Sequence, residues 1–363
     1  MIYLFVFFCS IWLLWVGDVM KVRCHLALEN VAILPVVLIA GLRDASIGTD
    51  TAGYPNDLFD YCLYTRDFFV TLLTYLRVES GYVALAYFSS MISKDFNFFL
   101  TVTHFVILGT LLRAYKQFDL KLPCAFLFFY FIFFSESLNA ARQFLAMPFC
   151  LLSLAELVKK QHKNAIVFFL IAFFFHRSSF FFLTIFCLYY LCINHFKIMK
   201  QKKMFFYLTL LVMVGLTMFV ELLEFAISIG IAKAEYMDRY GSEEQYGAGI
   251  PVSLLSINCF NYLLFQLLTR RKELTPFLLF SKYVMLICVF LCFAGLISTY
   301  AVRLDHYYVM TGIVCTVYAL QLNKYHYLPL YIVFYVFYWY MVVIVANLGN
   351  TYPYKSFIIE SLL

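Results

Sequence analysis

Charge is scarce in this sequence. Only 13% of its 363 residues are Asp, Glu, Lys or Arg, while 64% are hydrophobic, a balance that no water-soluble domain of this length keeps off its surface. A soluble enzyme and a nucleic-acid-binding module are both excluded on that ground. A disulfide framework is missing too. Nearly all of the 11 Cys fall inside apolar segments, and Cys62 alone is expected in an outer loop. Cys288 and Cys292 share a helix face without His or carboxylate neighbours and read as small packing residues. There is no Gly-Lys-Thr or Gly-Lys-Ser phosphate loop and no dinucleotide fingerprint, so energy from a nucleotide is not indicated. No HxH or HxxxH spacing occurs, and neither a metal site nor a cofactor is expected. Internal repeats are absent. The first apolar segment has no basic residues before it and no small-residue cleavage site after it, so it is expected to be a retained helix.

What is present is a succession of apolar segments, rich in Phe and Tyr, of the length that crosses a bilayer. About 12 spanning helices are expected, at 2–16, 31–42, 96–112, 122–138, 140–157, 164–176, 178–194, 204–222, 251–268, 277–297, 304–322 and 327–347. The expected fold is all-α, a single integral membrane domain over residues 1–363. Short joints predict antiparallel hairpins between sequence neighbours.

Orientation follows from the basic residues of the short loops. Lys21 and Arg23, Arg113 to Lys121, Lys159 to Lys163, Lys197 to Lys203, Arg270 to Lys282 and Lys324 carry most of the 27 basic residues and fall at alternate joints. That face is expected to be cytoplasmic, with both termini on the other side. Residues 80–93 are apolar but would span only about 21 Å as a helix, short of the roughly 30 Å hydrocarbon core. A full crossing there would put every later basic joint outside. The segment is therefore expected to be re-entrant or interfacial. Two outer loops result, 43–79 with short helices and 223–250.

The ionisable residues of the outer half gather at helix ends. Arg142 starts the helix of 140–157, and His176 ends that of 164–176. With 1.5 Å rise per residue, the two stand about 22 and 20 Å from the basic turn that joins their helices, and so lie level. SLNAARQ offers Arg142 only Glu136 as a local carboxylate, and an arginine so placed suits bidentate phosphate binding. A structural reading has it reaching to the headgroups. Arg303 in TYAVRLDHYY shares the ambiguity, since Asp305 could neutralise it. Two outer arginines on different helices match the charge of a diphosphate. His176 is either a proton acceptor or a helix cap. Gly48, Thr49 and Asp50 form a polar turn whose plain reading is an Asx-type turn. Its interest lies in sharing the face of Arg142 and His176.

Taken in order, GLRDASIGTDTAGY at 41–54, ARQFLAMPFCLLSL at 141–154, the KKQHKN turn and FFFHRSSFFFL at 173–183 resemble the EpsG family of bacterial polysaccharide-synthesis membrane proteins, which is grouped with Wzy-type polymerases. The resemblance covers about the first half of the chain, with Arg303 before a Tyr-rich helix as a later echo. It implies a glycosyltransferase of GT-C-like architecture in the bacterial inner membrane. Its active site would face the periplasm and transfer a growing glycan from undecaprenyl diphosphate to a lipid-linked repeat unit. A flippase and a chain-length regulator of the same pathway would be partners, along with the bilayer itself. Arg43, Gly48, Asp50, Tyr54, Arg142, Gln143, His176 and Arg303 match the family's recurrent polar positions, whereas the second outer loop has no recognisable counterpart. On this reading Arg142 and Arg303 hold diphosphate, and His176 or Asp50 takes the hydroxyl proton. Arg43, Gly48, Thr49, Gln143 and Arg177 line the substrate, while Tyr54 and Tyr240 stack on sugar. Competing readings are a lipid-linked oligosaccharide flippase, a polysaccharide acyltransferase and a non-catalytic assembly partner. The first should spread its charges along a path open to both sides. The second should place its catalytic groups on the cytoplasmic face.

Overall fold

A computed structural model describes residues 2–20, 25–218, 224–225, 227–228, 251–296 and 301–357. Every regular element among them is helical. The contacts divide the chain into two compact units, residues 1–179 with 328–363, and residues 180–327.

The first unit begins with α1 (Ile2–Met20) and α2 (His25–Gly41). Three short helices follow, α3 (Tyr54–Thr65), α4 (Phe68–Thr74) and α5 (Ser80–Ile92). Then come α6 (Phe96–Gln117), α7 (Leu122–Asn139), α8 (Ala141–Val158) and α9 (His162–Phe175). The second unit holds α10 (Leu183–Asn194), α11 (Phe196–Met199), α12 (Lys202–Thr217), α13 (Val252–Thr269), α14 (Pro276–Leu291) and α15 (Asp305–Leu322). The chain returns to the first unit with α16 (Leu328–Trp339), which runs on through a π-helical turn, Tyr340–Val345.

Where their residues are described the expected spans fall on helices, and the chain is a polytopic membrane protein. Eight helices among the described residues are long and apolar enough to cross a bilayer. Residues Ala27–Gly41 and His162–Phe175 form shorter apolar helices. The 14 residues of α9 reach about 21 Å, less than a full hydrocarbon core.

The core of the first unit is α7. Its run of phenylalanines is buried on every side, as a helix apolar all round must be. Phe7 stacks on Tyr130 at 5.0 Å between ring centroids and meets Phe134 edge-on at the same distance, while Trp339 closes on Phe131. Beside it α8 lies against α6 and α9.

The two ends of this unit differ chemically. At one end Lys116 pairs with Glu29, Lys121 with Asp18, and Lys159 donates to Gln117. This is the end of the basic joints. At the other, Asn97 at the start of α6 donates to the carbonyls of Gly41 and Arg43 at 2.7 and 2.8 Å. The chain after α16 folds onto the same place, the Gly48 amide donating to the Asn350 carbonyl and the Asp44 amide to that of Lys355. Helix α5 leaves from beside the start of α8 and hands directly to the start of α6, so both of its ends lie at this second end. It does not cross.

Candidate functional site

The loop between α2 and α3 is tied down from below. Arg43 is 1% exposed, and its guanidinium donates to the carbonyl of Ala40, to Thr51 Oγ1 at 3.3 Å and to the carbonyl of Leu138 at 3.2 Å. Burial pulls its pKa down to about 10, against the nearby phenols of Tyr3, Tyr82 and Tyr354. Arg43 thus serves this loop as an anchor. Gly48 takes φ +93°, and a Cβ there would lie 2.8 Å from Thr51 Oγ1 and 3.0 Å from Asn139 Oδ1. Only glycine fits such a turn without strain. The next amide, of Thr49, donates to Asn139 Oδ1 at 2.6 Å, and the Thr49 hydroxyl does so at 3.2 Å. Asn139, the last residue of α7, therefore sets the Gly48–Asp50 turn. Asp50 accepts from the Thr49 hydroxyl at 3.3 Å and lies close enough to Tyr54 to act on its phenol.

Beyond this loop three elements meet at one carboxylate. Glu79, the residue before α5, is 7% exposed. Its Oε2 accepts from Arg142 Nη1 at 2.6 Å, and its Oε1 bonds His176 Nδ1 at 3.1 Å. The Arg177 amide approaches Oε1 at 3.5 Å. Arg142 also donates through Nε to the Tyr54 hydroxyl at 3.0 Å and lies over the Tyr54 ring, 4.6 Å from its centroid. Its Nη2 makes no hydrogen bond among the described residues.

The electrostatics follow from the geometry. Burial by itself would raise the Glu79 carboxyl, but the hydrogen bond and charge of His176, and then the charge of Arg142, outweigh it. Glu79 is held well below the usual carboxylate range and is ionised at neutral pH. Burial pushes the Tyr54 phenol up, with Arg142 offsetting only part of the effect. The result is a guanidinium fixed at two of its nitrogens and an imidazole fixed at one, both still reachable, with side chains 21% and 20% exposed.

Arg142 and His176 are brought together level, with Tyr54, Asp50 and the Arg177 backbone around them. Gln143 is buried on α8. One sequence expectation is corrected: Arg142 is not short of a carboxylate, and its partner is Glu79 rather than Glu136. Glu79 itself escaped the sequence reading, as did Asn139. An acid standing immediately before an apolar segment too short to cross was the signal available for Glu79.

Arg303 lies in the second unit, in a short 3-10 turn, Ala301–Leu304, with an exposed side chain. Asp305, which could neutralise it, is fully buried and accepts from Asn258 Nδ2 at 2.8 Å. Tyr240 lies outside the described residues. Among the described residues no group of three or more His, Cys, Asp or Glu could hold a metal ion.

Comparison with known proteins places this arrangement. The sequence model of the EpsG family matches residues 26–356. The amylovoran biosynthesis protein AmsC of Erwinia amylovora is 23% identical over 140 residues, 38% of this chain and 37% of that protein. The match thus spans well under half of the relative's length. No solved structure matches the chain.

Proposed function

Because the chain belongs to the EpsG family, we propose that it is a membrane glycosyltransferase that polymerises an exported polysaccharide, taking glycan from a lipid diphosphate. The relative named for amylovoran biosynthesis supports the polysaccharide class. The observation that carries the reading is the bridge made by Glu79 between Arg142 and His176.

The chemistry runs as follows. In its neutral form the imidazole, donating Nδ1–H to Glu79, carries its lone pair on Nε2, which makes no hydrogen bond among the described residues. A sugar hydroxyl of the acceptor gives its proton to that Nε2 as its oxygen bonds the anomeric carbon of the donor. The bond from that carbon to the diphosphate oxygen breaks, and the diphosphate leaves with the electron pair. Its developing charge falls to Arg142, whose Nη2 donates while Nε and Nη1 hold the group in place. A preset donor of this kind needs no rearrangement during the reaction. Asp50 and Thr49, in the turn before Tyr54, are available to sugar hydroxyls. We place this site on the periplasmic face of the inner membrane, because the basic joints occupy the opposite end of the first unit.

The test is a chromosomal deletion complemented with variants, followed by analysis of lipid-linked repeats. His176→Ala should lower polymerisation by about 10²–10⁴-fold, the range for a lost general base. Arg142→Lys keeps charge but not the two-point anchoring and should also fall sharply. In both, single lipid-linked repeats should accumulate while the protein stays in the membrane. Long chains at wild-type level in both variants would remove the site. A deletion in which no repeat reaches the outer face would favour a flippase.

A further inference from the structure

Helices α3 and α5 run in parallel from the Glu79 cluster. Tyr54 and Tyr82, near their starts, are ring neighbours at 6.2 Å, and near their ends the Tyr87 hydroxyl donates to the Arg66 carbonyl at 3.1 Å. With 12 and 13 residues, each carries the chain about 18–20 Å away from that cluster. At the far end they frame a cavity of about 330 Å³, whose lining includes Arg66, Lys94, Ser90, Met91 and Ile92.

Arg66 and Lys94 are each followed by an aspartate that caps the start of the next helix. Asp67 accepts from the Val70 amide at 3.0 Å at the start of α4, and Asp95 accepts from the Asn97 amide at 3.0 Å at the start of α6. Neither cation has a carboxylate partner among the described residues. The negative ends of α3 and α5 favour a cation at each position. That accounts for the sign of the charge but not for the cavity between them. Met91 and Ile92 are exposed, as are Phe88 and Phe69, so apolar side chains stand at the cavity alongside the two cations.

We propose that this cavity binds the phosphate headgroup of a lipid, with Arg66 and Lys94 pairing with the phosphate and Met91 and Ile92 meeting the first part of the tail. A free phosphate would have no use for the apolar side chains, and an uncharged lipid none for the cations. The site lies apart from Glu79 and holds whether or not the chain polymerises glycan, since it concerns binding alone.

The experiment is native mass spectrometry of the full chain released from phosphatidylcholine nanodiscs doped with undecaprenyl phosphate. Parallel samples contain undecaprenol or added inorganic pyrophosphate. Wild-type protein should retain the lipid phosphate and not the alcohol. The double variant Arg66→Gln with Lys94→Gln should retain about tenfold less or lower still, for the loss of two charge-assisted contacts. Lys197→Gln, which removes one exposed charge from the second unit, should retain it fully, and so should Arg66→Lys. Equal retention by the double variant and wild type, or equal retention of undecaprenol, would overturn the proposal. Displacement of the lipid by an equimolar amount of pyrophosphate would make it a site for free phosphate and overturn it equally.

Discussion

Glu79 holds the candidate site together because both of its carboxylate oxygens are engaged, one by a guanidinium and one by an imidazole. Replacing it with glutamine keeps the shape and removes the charge. Glu79→Gln should lower stability by about 3 kcal/mol, the low end for breaking a buried pair, since Arg142 retains some solvent contact. Thermal unfolding in detergent measures this. The pH dependence has a definite sign. The folded carboxyl is depressed, so its contribution is complete above the ordinary glutamate value of about 4.3 and is lost as pH falls toward the folded one. The gap between wild type and Glu79→Gln should therefore narrow as pH is lowered from about 6 to about 3. A gap that widens would show that Glu79 is not ionised in the folded protein. At this scale the sequence was half legible. Arg142 and His176 could be found level by counting rise along an antiparallel hairpin. Glu79 stands 63 and 97 positions from them, on a segment whose path no local pattern specifies.

Elements bring these side chains together through one close approach. A Cβ on Gly81 would lie 2.8 Å from the Phe174 carbonyl oxygen, so any larger residue pushes α5 off α9. Glu79 and His176 sit two residues from that contact, on either side of it. Gly81→Ala should cost about 10²-fold in polymerisation through misplacement alone, with membrane levels kept. Gly109→Ala is the control. Nothing lies within 4 Å of its would-be Cβ, and alanine favours the helix by about 1 kcal/mol. Unchanged polymer in Gly81→Ala would mean that α5 need not hold its distance. That α5 is a helix too short to cross was legible from its length and flanking charges. Its packing on α9 was not, because Gly81 reads as an ordinary helix start until a backbone is seen behind it.

At the scale of the whole molecule, the proposed orientation rests on the distribution of charge. Ser46 lies in the exposed loop near the candidate site, and Lys159 at the end of the basic joints. With the exposed Cys187 replaced, a membrane-impermeant maleimide added to whole spheroplasts should label Ser46→Cys and spare Lys159→Cys. The reverse pattern would turn the molecule over and put Arg142 and His176 in the cytosol. Composition and lysine spacing decided by themselves that the chain is helical, crosses a membrane repeatedly and has two chemically different faces, because a bilayer admits few solutions for an apolar chain. They also marked Arg142 and His176. Only the tertiary structure decided that Glu79 joins them, that Arg43 is an anchor and that Asp305 turns to Asn258. Those are contacts between distant segments, and what fixes them is the packing of one backbone against another rather than any preference of the residues near by.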